Sequence, residues 1–172
     1  MGDDESGTGA GTTTAADDEI DLDEIDEGVL FALQRDARNV TTEEIADEVN
    51  VSPSTVRNRI EKLEQGGVIE GYEPKINYER GGFPLHVLFV CTAAPKERSN
   101  IAEDVLHVKG VTGATEMLTS EHNLYVEVIA ASTSDLSRIT DAIDDLGLVI
   151  HSSEIVTKQI SQPWGHFEFE TE

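Results

Sequence analysis

The segment from Ser52 to Gly67 carries its own start, stop and two-sided pattern, and that leaves few folds open to it. Ser52 is a side-chain acceptor suited to cap a helix, and Pro53 fits the first helical position, where its missing N–H is not needed. Val56, Ile60 and Leu63 fall within about 60° of one another on a helical wheel, which makes one narrow stripe apolar. Ser54, Asn58 and Glu61 point the opposite way, with Thr55 and Lys62 on one flank and Arg57 on the other. Gly66 and Gly67 then release the chain. The spacing predicts a helix over 53–65 held by its aliphatic side, with hydroxyl, amide and guanidinium groups facing out.

The flanking residues complete a recognisable unit. Leu22, Ile25, Val29, Leu30 and Leu33 recur at three- and four-residue spacing, so a first helix is expected from Ile20 to about Asp36. Thr41 or Thr42 can cap a second helix, with Glu44 or Glu43 in its first turn and Ile45, Ala46 and Val49 on its buried side. Asn50 tolerates the left-handed backbone of a tight turn between helices. Val68–Tyr72 and Lys75–Tyr78, around Glu73-Pro74, read as two short strands forming a wing. Residues 19–80 are therefore expected to be a winged helix-turn-helix. Ser52, Ser54, Thr55 and Asn58 are candidates for base edges or phosphates of double-stranded DNA, and Arg57, Arg59 and Lys62 for neutralising its backbone.

Gly81-Gly82 breaks the chain before a second pattern. A strand over 84–93 precedes a helix from Pro95 to about His107, then strands over 111–119 and 123–131 join through a turn at Ser120–His122. Ser132 with Asp135 signals a helix to Leu146, Gly147 stops it, and a strand over 149–160 follows. Strand, helix, strand, strand, helix, strand is the ferredoxin-like order, so the fold class is α+β with residues 81–162 as the second domain. Residues 163–172 form a C-terminal extension whose Pro163–Phe167 stretch is expected to pack across a dimer.

A net charge of −23 looks wrong for a DNA binder until it is divided along the chain. Residues 1–27 hold 11 acidic and no basic residues, 28–80 hold 10 and 7, and 81–172 hold 14 and 5. The helix over 53–65 thus lies in the most basic third. Residues 1–18, polar and without aromatics, are expected to be a disordered acidic tail. Dense carboxylate over the rest suggests a halophilic archaeon, where salt mutes their repulsion. No apolar run reaches the roughly 20 residues a bilayer requires, and the acidic start is unlike a secretory signal, so a cytoplasmic protein with no membrane partner is expected. Cys91, the only cysteine, sits in an apolar strand as an inert thiol. His86, His107, His151 and His166 do not converge on one face of any element, although His86 and His151 lie on strands that could be neighbours; no metal and no cofactor is expected.

Leu22-Asp23-Glu24-Ile25-Asp26, Val51–Ile60 and Gly67-Val68-Ile69-Glu70-Gly71-Tyr72, in that order, resemble the Lrp/AsnC family of transcription regulators. The resemblance spans roughly residues 20–160. It implies a homodimer or higher homo-oligomer that binds semi-palindromic promoter DNA, with sensor sheets sandwiched between subunits and an amino acid or related metabolite at the interface. The family's effector loop carries a Gly and, three residues on, an Asp; Leu118–Asn123 here has neither. Glu121 or Asn123 could still accept from an ammonium, and Thr119, Ser120 or His122 donate to a carboxylate. Sirohaem decarboxylases share the architecture, and His122-Asn123-Leu124-Tyr125 resembles their hairpin, but no Arg lies nearby and the wing has Glu70-Gly71 where theirs is basic. The resemblance therefore implies a regulator and not an enzyme.

Overall fold

The computed structural model describes residues 20–165, which divide into two compact units, 20–73 with 162–165 and 74–161. The division falls at Glu73-Pro74, ahead of the Gly81-Gly82 break. The tail expected over residues 1–18, His166 and Phe167 lie outside the described residues.

In the first unit α1 (Glu24–Asp36), α2 (Thr42–Glu48) and α3 (Pro53–Gln65) enclose a core that includes Val29, Ile45, Ala46, Val49, Val56 and Leu63. α1 starts four residues later than its apolar spacing suggested, because Asp23 caps it. The Asp23 carboxylate accepts from the Asp26 N–H at 2.9 Å, and the Asp26 carboxylate reaches back to the Asp23 N–H at 3.4 Å. Thr41 rather than Thr42 caps α2, paired in the same reciprocal way with Glu44. Asn50 turns the chain at φ 54°, and the Val51 N–H donates back to the Ala46 carbonyl at 3.0 Å. α3 closes with Gly67 at φ 72°, the Gly67 N–H on Glu64 O at 3.1 Å and the Val68 N–H on Leu63 O at 2.9 Å. This paired capping of the last carbonyls needs a left-handed residue at Gly67.

The two wing strands are not formed. The Val68 and Ile69 N–H groups both donate to Leu63 O, which winds the chain around the helix end instead of extending it into a ladder. Pro74 has no N–H to give, and an isolated two-stranded ribbon is marginal in water. The segment is held instead by the Tyr72 hydroxyl, which donates to Glu64 Oε1 at 2.9 Å.

The second unit follows the expected order: β1 (Leu85–Thr92), α4 (Arg98–Val105), β2 (Val111–Glu116), β3 (Leu124–Ala130), α5 (Thr133–Asp145) and β4 (Val149–Ile155). The four strands lie in the order β2-β3-β1-β4, each antiparallel to its neighbours. β4 stops five residues short of the predicted end because β1 begins at Leu85 and offers little beyond the Val87–Ile155 pairing. Val87, Phe89 and Cys91 alternate on one face of β1 and join Val126, Ala102, Val105, Ile139 and Ile143 in a core beneath the two helices. Burial pushes the Cys91 thiol up to about 11, in keeping with an inert side chain. His86, Leu88, Tyr125 and Glu127 occupy the face away from this core, with the His86 imidazole on the Glu127 carboxylate.

Gly110 lets α5 approach the sheet. Its φ is 109°, and a Cβ there would lie 2.5 Å from Ile139 Cδ1 and 3.2 Å from the Ile129 carbonyl. Gly110→Ala is expected to destabilise the chain by about 2–4 kcal/mol, summing backbone strain and overpacking. Urea unfolding measures this, and a change below about 1 kcal/mol would mean the loop relaxes freely.

Candidate nucleic-acid interface

α1 and α2 place carboxylates in their first turns, Glu24, Asp26 and Glu27 in one and Glu43 and Glu44 in the other. α3 has none there. Its first turn presents hydroxyls: Ser52 Oγ accepts from the Thr55 N–H at 3.2 Å and lies 2.9 Å from Ser54 Oγ and 2.8 Å from Thr55 Oγ1. The positive end of the α3 dipole is therefore uncompensated by protein carboxylates in its first turn, which suits a phosphate. Ser54, Arg57, Asn58, Glu61 and Lys62 are exposed along the same helix, while Val56 and Leu63 are buried beneath it.

The basic residues do not behave alike. Arg57 reaches Thr42 Oγ1 and Glu43 Oε1 only at 3.4 Å, across an exposed surface, and can swing away from both. Arg59 is turned inward: Nη1 lies 2.6 Å from Asp23 Oδ2 and 3.1 Å from both oxygens of Asp26, whose side chain is fully buried. Lys62 Nζ completes the cluster at 3.5 Å from Asp26 Oδ2 while staying half exposed. Burial works against an ionised Asp23, but the Asp26 backbone N–H and the Arg59 guanidinium outweigh it and hold that carboxyl below its ordinary range. The Asp23 hydrogen bond raises Arg59 in turn, against the opposing effect of burial. Arg59 thus leaves the set of free phosphate contacts suggested by the sequence and becomes the tie between α1 and α3.

In the second unit the predicted effector residues separate. Asn123 is fully buried, its side chain accepting from the Ala93 N–H at 2.8 Å and donating to the Ala93 carbonyl at 3.0 Å. Both ends of that amide are engaged away from solvent, so it offers no exposed acceptor to an ammonium. The Thr119 hydroxyl donates to the Glu121 carbonyl at 2.8 Å, which shapes the loop. Ser120, Glu121 and His122 remain exposed at its tip. His86 and His151 do not meet; His86 pairs with Glu127, and His151 lies against His122.

The family model described as winged helix-turn-helix DNA-binding matches residues 22–70. An uncharacterised HTH-type transcriptional regulator of Pyrococcus abyssi is 33% identical over 122 residues, covering 71% of this chain and 82% of its own. The HTH-type transcriptional regulator LrpA of the same organism is 31% identical over 69% of this chain and 82% of its own. The chain belongs to the Lrp/AsnC family. Among solved structures, the leucine response regulatory protein LrpA of Mycobacterium tuberculosis superposes with a TM-score of 0.71 at 26% identity, over 86% of this chain and all of that one. A Neisseria meningitidis transcriptional regulator solved with L-Met shares the fold at a TM-score of 0.68 and 21% identity, covering 83% and 94%. As a member of this family the protein is a sequence-specific DNA-binding transcription regulator, and α3 lies within the matched helix-turn-helix segment.

For this Lrp/AsnC regulator, Arg59→Ala is expected to cost about 3 kcal/mol of stability, because Asp26 stays buried with only the distant Lys62. Arg57→Ala should cost less than about 1 kcal/mol, as exposed pairs do. Urea denaturation separates the two, and an unaltered Arg59→Ala midpoint would refute the tie. Asp23→Asn keeps the cap and removes the charge. A lowered folded-state pKa gives stability that is present above the ordinary value of 3.8 and is lost as pH falls through the lowered one. Wild type and Asp23→Asn should therefore differ near neutrality and converge in acid, as read by thermal melts across pH.

Proposed function

We propose that the protein regulates transcription as a homodimer or higher homo-oligomer, laying α3 in the major groove of semi-palindromic promoter DNA. The observation that carries this reading is the division of α3 into a buried aliphatic stripe and an exposed face of Ser54, Arg57, Asn58 and Lys62 behind an acid-free first turn. Ser52, Ser54 and Thr55 serve phosphates at the helix start, Arg57 and Lys62 neutralise backbone charge, and Asn58 reads a base edge. Two-fold pairing through the sheet face that bears Leu88 and Tyr125 would present two recognition helices to two half-sites.

An amino-acid-like effector is proposed at the β2–β3 loop, with Glu121 accepting from the ammonium and Ser120 donating to the carboxylate. The L-Met complex of the Neisseria regulator supports an effector of that class at the level of the shared fold. The protein acts by binding and not by catalysis, in the cytoplasm of a salt-loving cell. There a charge of −23 is screened, and base contacts and oligomer avidity carry more of the affinity than phosphate neutralisation does.

Fluorescence anisotropy on operator and scrambled duplexes over a salt series tests the assignment. Arg57→Ala should weaken both complexes alike and reduce the salt slope by about 1. Asn58→Ala should cost about 1–3 kcal/mol of discrimination between them and leave the slope unchanged. Equal losses on both duplexes for both variants would overturn it.

A further inference from the structure

Two departures from regular backbone meet at one corner of the sheet. Between β1 and β4 the register shifts at Val90/Cys91: Val90 pairs with Ser152 and Cys91 with Ile150, so His151 is left out of the ladder. A bulge of this kind re-aims the extra side chain. His122, at the end of the β2–β3 loop, has φ 54°, one of only two non-glycine residues with positive φ among those described. That conformation costs free energy for a residue with a Cβ and persists where the surroundings impose it. The two histidines are brought together: their ring centroids lie 4.5 Å apart at 65°.

One side chain ties both. Thr92 Oγ1 accepts from the His122 N–H at 2.8 Å and lies 2.8 Å from His151 Nε2. The hydroxyl keeps a second lone pair and a hydrogen of its own, so His151 Nε2 either donates to it or accepts from it; in the tautomer with Nε2–H, Nδ1 keeps a free lone pair. An imidazole whose outer N–H is held by an oxygen while its other nitrogen is unprotonated is the arrangement found at metal-bound histidines. Two nitrogens on one tetrahedral ion at about 2.0–2.1 Å lie about 3.4 Å apart, and the two rings, 4.5 Å between centroids, would turn from their edge-to-face contact to present them.

We propose that His122 and His151 bind a divalent transition-metal ion of the imidazole-seeking class, zinc, copper or nickel, with Thr92 as the outer hydrogen-bond partner. Among the described residues no third His, Cys, Asp or Glu completes the set. Both rings are exposed, so the remaining positions are open to water or to the amine and carboxylate of a small molecule. The hard ions magnesium and calcium are not served by such a pair. The site stands on the two histidines and Thr92 alone, and holds whether or not Ser120 and Glu121 bind an effector.

The test is titration of the untagged full-length chain with Cu2+ in excess Mg2+, which saturates surface carboxylates, followed by electron paramagnetic resonance and by competition with Zn2+. Wild type should bind one ion per chain with two nitrogen ligands. His122→Asn, which keeps a residue tolerant of the left-handed backbone, and His151→Gln should each show one nitrogen. Each should lose at least about tenfold in affinity, the loss that removing an outer partner alone produces. Thr92→Val should weaken binding about tenfold while keeping both nitrogens, and His86→Gln and His107→Gln should bind as wild type does. Histidine NMR of the wild type with Zn2+, in which both ring systems should shift together, provides a readout that no variant's folding can disturb. Absence of a stoichiometric wild-type site, unchanged binding in His122→Asn and His151→Gln, or a signal that follows His86, His107 or His166 would overturn the proposal.

Discussion

A carboxylate fully shut off from water needs a partner, and the Asp26 side chain finds its partners on α3. An unpaired buried charge costs several kcal/mol, so the α1–α3 contact has one favourable register, the one that places Arg59 against Asp26 and Asp23. Apolar packing of Val29, Val56 and Leu63 is non-directional and would tolerate small slides of α3. The ion cluster does not. Asp26 also belongs to the α1 capping box, which couples the start of one helix to the azimuth of the other.

This arrangement divides the cations of an acidic protein by task. Arg59 is used inside the unit, and Arg57 and Lys62 keep the exposure that a phosphate requires. The acid-free first turn of α3 adds a favourable dipole end at no cost in basic residues. With 35 acidic against 12 basic residues, local placement decides whether DNA can approach, because the summed charge opposes it.

The second unit uses its irregularities in a comparable way. The buried amide of Asn123 pins the end of the loop to the Ala93 backbone, satisfying an N–H and a carbonyl together. With that end fixed, His122 is held in its left-handed turn beside the bulge residue His151. The loop tip, Ser120 and Glu121, is left free of these restraints and exposed.

Local chemistry settled much of this molecule before any packing was known. The caps at Ser52 and Ser132, the left-handed Asn50, the glycine stop at Gly67 and the strand-helix order of the second unit act within a few residues, so each can be read from its own neighbourhood. The apolar stripe of α3 was legible for the same reason, and with it Ser54 and Asn58 as exposed groups. Only the tertiary structure decided what depends on residues far apart in the chain: Arg59 turned to Asp26 instead of outward, Asn123 buried on Ala93 instead of open to a ligand, and His151 beside His122 instead of His86. The two unformed strands of the 68–78 segment belong here too, since a strand exists only where another strand pairs with it. A side chain's periodic position states which way it can point, but the partner that holds it there is set by three-dimensional proximity.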